Sequence, residues 1–298
     1  MIGIGHAAPT IAGHGTEEQR RRYLRPMFSG EEFWCQLFSE PDSGSDLASL
    51  ATRAVRDGDE YVINGSKIWS SGAHHARFGI LIARTDPDVP KHKGTSYFIL
   101  PMDLPGVSLT PIVDMTTAHS FNQTFFDDVR LPAEALVGEP DAALAQLFAG
   151  LNPERILGAA MAVGMGRYAL DAATAFAKER AVWKTPIGAH QGISHPLAQV
   201  KIELELAKLM MQKAAVLYDS GDDSGAAEAA NMAKYAAAEA SIKALDQAIQ
   251  THGGAGLTKE YGLAAMLGAA RIARVAPVSR EMILNFVAQH SLGLPRSY

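Results

Sequence analysis

The chain has 298 residues, 47% of them hydrophobic, which is enough to bury a sizeable core and to form two domains. Its net charge of -5 comes from charges of both signs scattered along the sequence, with no basic run longer than Arg20–Arg22, which argues against nucleic acid as a partner. The single cysteine, Cys35, excludes an internal disulfide framework and a cysteine-based zinc motif.

No stretch of 18 uncharged apolar residues occurs, and "MIGIGHAAPTIAGHG" lacks the basic start and long apolar segment of a signal peptide. The expectation is a soluble, cytoplasmic protein with no membrane span. His74 and His75 are adjacent, so on a strand they would face opposite ways and could not share a metal ion; no metal site is expected.

In chain order, Thr16 followed by Gln19 marks a capping box that opens a short helix, and Pro26 is expected to close it. From Phe33 to Val137 short apolar or alternating runs are separated by turn residues. Asn64-Gly65 in "YVINGSKIW" is the strongest hairpin signal, and "FGILIAR", "TSYFILP", "VSLTPI" and "TFFDDV" follow at the spacing of a small antiparallel barrel or sandwich. After "EPDAALAQ" the pattern becomes helical. Ile156, Leu157, Ala160 and Val163 share one face of a first helix, and two further Ala-rich helices end at Gly221 and at Gly253-Gly254. A fourth and a fifth helix are expected over about 260–290, interrupted at Pro277. Four such helices predict an antiparallel bundle.

The motifs each have an ordinary structural explanation. "SEPDSGSD" (39–46) has the composition of a surface turn, although a Gly-Ser turn also offers backbone N–H groups and hydroxyls to a phosphate. Trp69 in "KIWSSG" fits a barrel core, and "HGGAG" (252–256) fits a helix C-cap, with more glycine than one cap needs. "GMGRYA" at 164 has no preceding strand and no third glycine, so it is not a dinucleotide fingerprint.

Taken together, "SEPDSGSD", "YVINGSKIWSSG", "FFDDVRLP", "KERAVWKTPIGAHQGISH" and "HGGAG" stand in the order and approximate spacing of the acyl-CoA dehydrogenase family, which the sequence resembles from about residue 3 to its end. The resemblance implies an α+β fold: the remnant of an N-terminal helical domain (1–32), a middle antiparallel β-barrel (33–145) and a C-terminal four-helix bundle (146–298). It implies a longer helical domain ahead of the β region than this chain carries. It also implies FAD-dependent α,β-dehydrogenation of an acyl-CoA thioester in fatty-acid β-oxidation, with electrons passed to an electron-transfer flavoprotein.

On the same resemblance, Gln36, Phe38 and Ser39 match the strand along the isoalloxazine ring, and Ser45 matches the serine that binds the FAD pyrophosphate. Trp69 matches the tryptophan packed on the flavin, and Ser71 stands where a hydroxyl approaches flavin N5. Arg180, Gln191, Gln250, Gly253 and Gly254 match the group that a neighbouring subunit donates to the adenine half, Arg as a charge-assisted fork and glycines for close backbone approach. Such sharing implies an oligomer, a homomeric dimer of dimers or a hetero-oligomer with a paralogue. Trp183 replaces the usual phenylalanine and Lys184 the usual glycine.

The reaction needs a carboxylate to remove the α-proton. Many members carry a glutamate late in the bundle; here "RIARVAPVSREM" places Pro277 at that position. A minority, including isovaleryl-CoA and long-chain acyl-CoA dehydrogenases, take it from the start of the first bundle helix, and "GLNPERILGAA" resembles their pattern with Glu154 as the base. The competing explanation is a helix opening, with Asn152 as N-cap, Pro153 at the first position and an acid in the first turn. The family's backbone N–H donor to the thioester carbonyl is also lost at Pro277, leaving either a neighbour such as Val278 or a weaker oxyanion site. A non-catalytic or half-site subunit and an oxygen-using acyl-CoA oxidase stay open as alternatives.

Overall fold

The structure is a computed structural model that describes residues 2–296. It contains two compact units, Met1–Glu154 and Arg155–Tyr298. The first opens with a π-helical turn, Gly3–Ala7, continuous with helix α1 (Ala8–His14), and then α2 (Glu17–Phe28). Thr16 caps α2 in a complete capping box with Gln19. Pro26 does not close the helix as the sequence suggests. It lies inside α2, one turn from the end, where the missing N–H removes a single hydrogen bond and Gly30 at φ +75° makes the actual turn away.

Eight strands follow: β1 (Trp34–Leu37), β2 (Arg53–Asp57), β3 (Glu60–Lys67), β4 (Phe78–Arg84), β5 (Thr95–Pro101), β6 (Val107–Val113), β7 (His119–Pro132) and β8 (Leu136–Val137). They form one sheet in the order β6-β7-β3-β2-β4-β5-β8, with β1 beside β4. The expected all-antiparallel pairing needs correction at two places. β1 runs parallel to β4 along four residues, and β2 meets β4 in parallel at Arg53 and Arg84. The chain returns from β1 to the same edge of β4 through the β2–β3 hairpin, and such a return with the same direction gives a parallel pair. β4 and β5 are buried on both faces, which is why "FGILIAR" and "TSYFILP" are unbroken apolar runs. One face packs Ile80, Ile82 and Tyr97 with Trp34, Phe38 and helix residues; the other packs Leu81, Phe98 and Leu100 with Ile63 and Val129.

Asn64-Gly65 is not the hairpin turn. The β2–β3 turn is Gly58-Asp59, between the paired Asp57 and Glu60, with Gly58 at φ +63°. Asn64-Gly65 lies within β3 at a bulge, where the pairing with β7 passes from Ile63–Val129 to Gly65–Phe126, so one residue faces two. The Asn64 amide donates to the Asp128 carboxylate and accepts from the Asp128 N–H, both at 2.9 Å. Gly65 has φ +143°, and a Cβ there would lie 2.8 Å from the Thr52 Cα.

The second unit is helical. Helix α3 (Ala143–Glu179) contributes its residues after Glu154; α4 (Gln191–Asp219) and α5 (Asp223–His252) follow. Ala169, Ala173 and Ala177 of α3 meet Val200 and Leu204 of α4 and Ala240, Ala244 and Ala248 of α5, and these small side chains allow the helices to approach closely. The fourth limb is interrupted at Pro277 as expected, and it has one further break. It is broken into α6 (Leu263–Ala270), α7 (Ile272–Val275) and α8 (Arg280–Phe286), with Pro277 in the last gap. Between α3 and α4 a small hairpin, β9 (Ala181–Val182) and β10 (Thr185–Pro186), turns through Trp183 and Lys184, both at positive φ. No helix among the described residues is long and apolar enough to cross a membrane.

Two stability effects follow from these backbones. Gly65→Ala is expected to destabilise the protein by about 2–3 kcal/mol, read as a fall in the urea midpoint, because the new Cβ meets Thr52 at a strained φ. Lys184→Gly is expected to raise stability by about 1 kcal/mol in the same assay, since it relieves a left-handed lysine in a turn built for glycine.

Candidate active site

Glu154 lies on α3, eleven residues after the helix begins at Ala143, with Asn152 and Pro153 also inside the helix. The helix-opening explanation therefore does not apply, because the field of a helix end falls off within the first turn. The side chain is buried, with 1% of the residue exposed. A buried carboxylate requires a partner. His6 supplies one: its Nδ1 lies 2.9 Å from Glu154 Oε2, and His6 itself is fully buried.

Several features build this pair. His6 sits on the π-helical turn, and the Thr10 hydroxyl donates to its carbonyl at 2.9 Å. Its ring meets Phe38 edge-on at 5.2 Å and stacks parallel to Tyr97 at 6.5 Å. Gly150, one turn before Glu154, allows the approach: a Cβ there would lie 2.8 Å from the His6 carbonyl oxygen. His6 Nε2 is buried without a hydrogen-bond partner among the described residues. Burial pushes the Tyr97 hydroxyl above its ordinary range, and the Glu154 charge adds to this. Sequence reasoning missed His6, which is 148 residues from its partner; the only local sign is the glycine at 150.

The residues matched to the flavin fall in the same unit. Gln36 is half-buried on β1, Phe38 is buried against His6, and Ser39 is half-buried. The segment after Ser39 is more than a surface turn. Glu40 and Ser43 exchange backbone hydrogen bonds, and the buried Glu40 carboxylate accepts from the N–H groups of Ala51 and Thr52 and from Lys67 Nζ at 2.8 Å. Lys67, fully buried, also donates to the Phe38 carbonyl, and the Ile68 N–H donates to the Ser39 carbonyl. Burial opposes ionisation of Glu40, but Lys67 and the two backbone donors outweigh it and hold the carboxyl below its usual range. Burial pulls Lys67 down to about 8 against the pull of Glu40.

Trp69 is not barrel core. It lies beyond the end of β3, 56% exposed, at φ +60°, edge-on to Phe121 at 6.1 Å. Its neighbours fix this strained backbone. The Ser70 N–H donates to the Asn122 carbonyl, the Asn122 side chain donates to the Ser70 carbonyl, and the Gly72 N–H donates to the Ser120 carbonyl. Ser71 and Ser45 are exposed, and the hydroxyls of Ser39, Ser45 and Ser71 make no hydrogen bond within the described residues. His74 and His75 lie on a single-turn 3₁₀ helix, Ala73–His75, not on a strand, so their rings are neighbours at 4.0 Å and His74 stacks on His119 at 3.8 Å. Among the described residues no three His, Cys, Asp or Glu side chains converge as metal ligands would.

The residues matched to the adenine half lie in the second unit. Arg180 is exposed immediately after α3, Gln191 is the exposed first residue of α4, and Gln250 is exposed in the last turn of α5. Phe176, whose carbonyl accepts the Arg180 N–H, meets the His252 ring at a tilt with centroids 4.4 Å apart, which joins the end of α3 to the end of α5. His252 Nδ1 bonds the Ala248 carbonyl. Gly253 takes φ +59°, and a Cβ on Gly256 would lie 2.5 Å from the Ile249 carbonyl oxygen, whereas a Cβ on Gly254 would meet nothing within 4 Å. A cleft of about 410 Å³, walled by residues including Thr174, Lys178, Gly188 and Ser194, lies between the end of α3 and the start of α4, and none of the residues matched to the adenine half lines it. Pro277 packs 3.9 Å from where a Cβ on Gly158 would be, and the buried Lys234 donates to the carbonyl of the next residue, Val278.

Comparison with known proteins identifies the family. Residues 35–129 match the acyl-CoA dehydrogenase middle domain and residues 144–292 the acyl-CoA dehydrogenase C-terminal domain. The chain is 58% identical over 289 residues to acyl-CoA dehydrogenase fadE12 of Mycobacterium tuberculosis, covering 97% of this chain and 74% of that protein. It is 35% identical over 289 residues to the mitochondrial short-chain specific acyl-CoA dehydrogenase of Bos taurus, covering 96% of this chain and 69% of that protein. The structure superposes on butyryl-CoA dehydrogenase from Megasphaera elsdenii with a TM-score of 0.91 at 29% identity, covering 97% of this chain and 75% of that one. With both of its domains matched and close relatives aligned along nearly its whole length, the chain belongs to the acyl-CoA dehydrogenase family of oxidoreductases.

Proposed function

We propose that this chain dehydrogenates an acyl-CoA thioester at its α and β carbons to the 2-enoyl-CoA, with Glu154 as the general base and electrons passed on to an electron-transfer flavoprotein. The observation that carries this reading is a buried carboxylate held in the middle of a helix, in a chain whose late family position holds a proline. Glu154 would take the α-proton as the substrate Cα–H bond breaks. The family uses FAD, which when bound supplies the acceptor for the β-hydrogen as hydride.

The residues present fit that cofactor. Trp69 offers a broad exposed aromatic face on a fixed backbone, and Ser39, Ser45 and Ser71 offer hydroxyls without partners among the described residues. Arg180 has an exposed guanidinium suited to a phosphate, and Gly254 has no internal reason to be glycine. We assign Gln36, Phe38, Ser39, Ser45, Trp69 and Ser71 to the flavin and pyrophosphate side. Arg180, Gln191, Gln250, Gly253 and Gly254 are assigned to the adenine side of a neighbouring subunit's cofactor. An assembly in which subunits share the site is supported by α4, where Ile202, Leu206, Leu209 and Val216 form an exposed apolar stripe at helical spacing.

Glu154→Gln keeps an oxygen to accept from His6 and removes the base. In anaerobic mixing of the FAD-loaded protein with a panel of acyl-CoAs, it should slow bleaching of the flavin by about 10²–10⁴ with little change in melting temperature. Equal bleaching by both proteins would assign the proton to another group. The double variant Leu206→Glu/Leu209→Glu should lower the mass in sedimentation and release FAD. A variant that stays the size of the wild type would remove α4 from the interface, and a wild type that binds almost no FAD when purified alone would favour a half-site subunit.

A further inference from the structure

We infer that His6 is a positioning residue for the base: its Nδ1–H holds Oε2 of Glu154, leaving Oε1 as the oxygen that receives the substrate proton. The inference rests on the reading of Glu154 as the base, and it adds which atom acts and what aims it.

Three observations carry it. A glutamate side chain loses rotamer freedom when it is held in one geometry, so aiming it requires a fixed contact. The 2.9 Å bond at Oε2 is such a contact, because the His6 ring is itself fixed between Phe38 and Tyr97 and its backbone is anchored through Thr10. Second, Nε2 is buried with no partner, whereas a histidine kept for packing normally satisfies both nitrogens. The single polar contact this ring makes is therefore directed at Glu154. An ionised carboxylate has no hydrogen to give, so with Glu154 acting as base the hydrogen of this bond belongs to Nδ1. Third, the ring rests on Phe38, the residue before Ser39, so one imidazole bears on both the helix that carries the base and the strand assigned to the flavin.

In the proton transfer the substrate Cα–H bond breaks and an O–H bond forms at Oε1. Both electrons of the broken bond would go into the new α,β double bond, and FAD when bound would supply the acceptor for the β-hydrogen as hydride. Oε2 becomes the carbonyl oxygen of the neutral acid and still accepts from Nδ1–H, so His6 neither gains nor loses a proton. Its contribution is geometric, and misplacement of a reacting group by about 1 Å costs on the order of 10²-fold in rate.

The test uses the FAD-loaded full chain. His6→Phe keeps the ring volume and removes the donor; His6→Asn places an amide N–H close to the position of Nδ1. At saturating acyl-CoA, His6→Phe should slow flavin reduction about 10–100-fold, and His6→Asn should recover to within about threefold of wild type. Nitrogen-15 NMR of the His6 ring in the unsubstituted protein should place a hydrogen on Nδ1, with that resonance displaced in Glu154→Gln; this readout depends on neither turnover nor the folding of His6→Phe. Wild-type reduction rates in His6→Phe, failure of a folded, FAD-replete His6→Asn to recover, or a bare Nδ1 would each overturn the proposal. If Glu154→Gln reduces flavin normally, the base assignment fails; if it is inactive while His6→Phe is at full speed, only the positioning role fails.

Discussion

A carboxylate removed from water must find hydrogen bonds inside the protein, and the first unit is organised around meeting that requirement at Glu154. The desolvation penalty for a lone buried charge is large enough to unfold a marginally stable domain. His6 meets it from a helical turn at the other end of the unit's sequence. The contact in turn requires a glycine at 150, because any side chain there would collide with the His6 backbone. It also requires the aromatic walls of Phe38 and Tyr97, because Nε2 has no bond to hold the ring. A single polar contact thus constrains two helical segments and two strands.

The same physics operates a second time at Lys67 and Glu40. Leaving either charge buried without the other would cost about 3–5 kcal/mol, so the two segments that carry them are held together. Lys67 ends β3 just before Trp69, and Glu40 opens the Gly-Ser turn. The pair therefore fixes the relative position of the aromatic residue and the hydroxyl-bearing turn assigned to one cofactor. Buried ion pairs contribute little net stability, and precision of this kind is a physical reason for retaining one. The strain at Trp69 is consistent with this, since a left-handed tryptophan survives only where its surroundings over-determine the backbone.

Much of this was legible in the sequence, and the failures have common causes. Doubly buried strands and long Ala-rich helices announce themselves by period, so β4, β5, α4 and α5 lie where the pattern puts them. Asn64-Gly65 was misread because its preference is for unusual φ, which a bulge uses as readily as a hairpin. Asn152-Pro153 leaves a helix opening as a competing explanation, because a proline at a helix start and a proline ten residues inside one look alike in a string of letters. For Trp69 the composition of its segment fits a core while the family resemblance points to the flavin, and only its φ and exposure rule out the core. His6 could not be found by any local pattern, since its role exists only when residues 148 apart are brought together.

The three glycines of "HGGAG" separate the constraints that a fold imposes on itself from those imposed by something outside the chain. Gly253 is required by its own backbone, which takes a φ that other residues rarely adopt. Gly256 is required by packing, because a Cβ would strike the carbonyl of Ile249. Gly254 meets neither requirement, and a glycine costs roughly 0.5–1 kcal/mol relative to alanine where its freedom is not needed, as measured in helices and strands. Its neighbours Gln250 and Arg180 are exposed on the two helix ends that Phe176 and His252 bring together. A bare stretch of backbone beside a guanidinium and an amide is what a phosphate-bearing cofactor needs in order to come close. The folded chain leaves the position at 254 open, as it does at Gly13, Gly44, Gly164 and Gly192, and the adenine-side role proposed for Gly254 would use that open space.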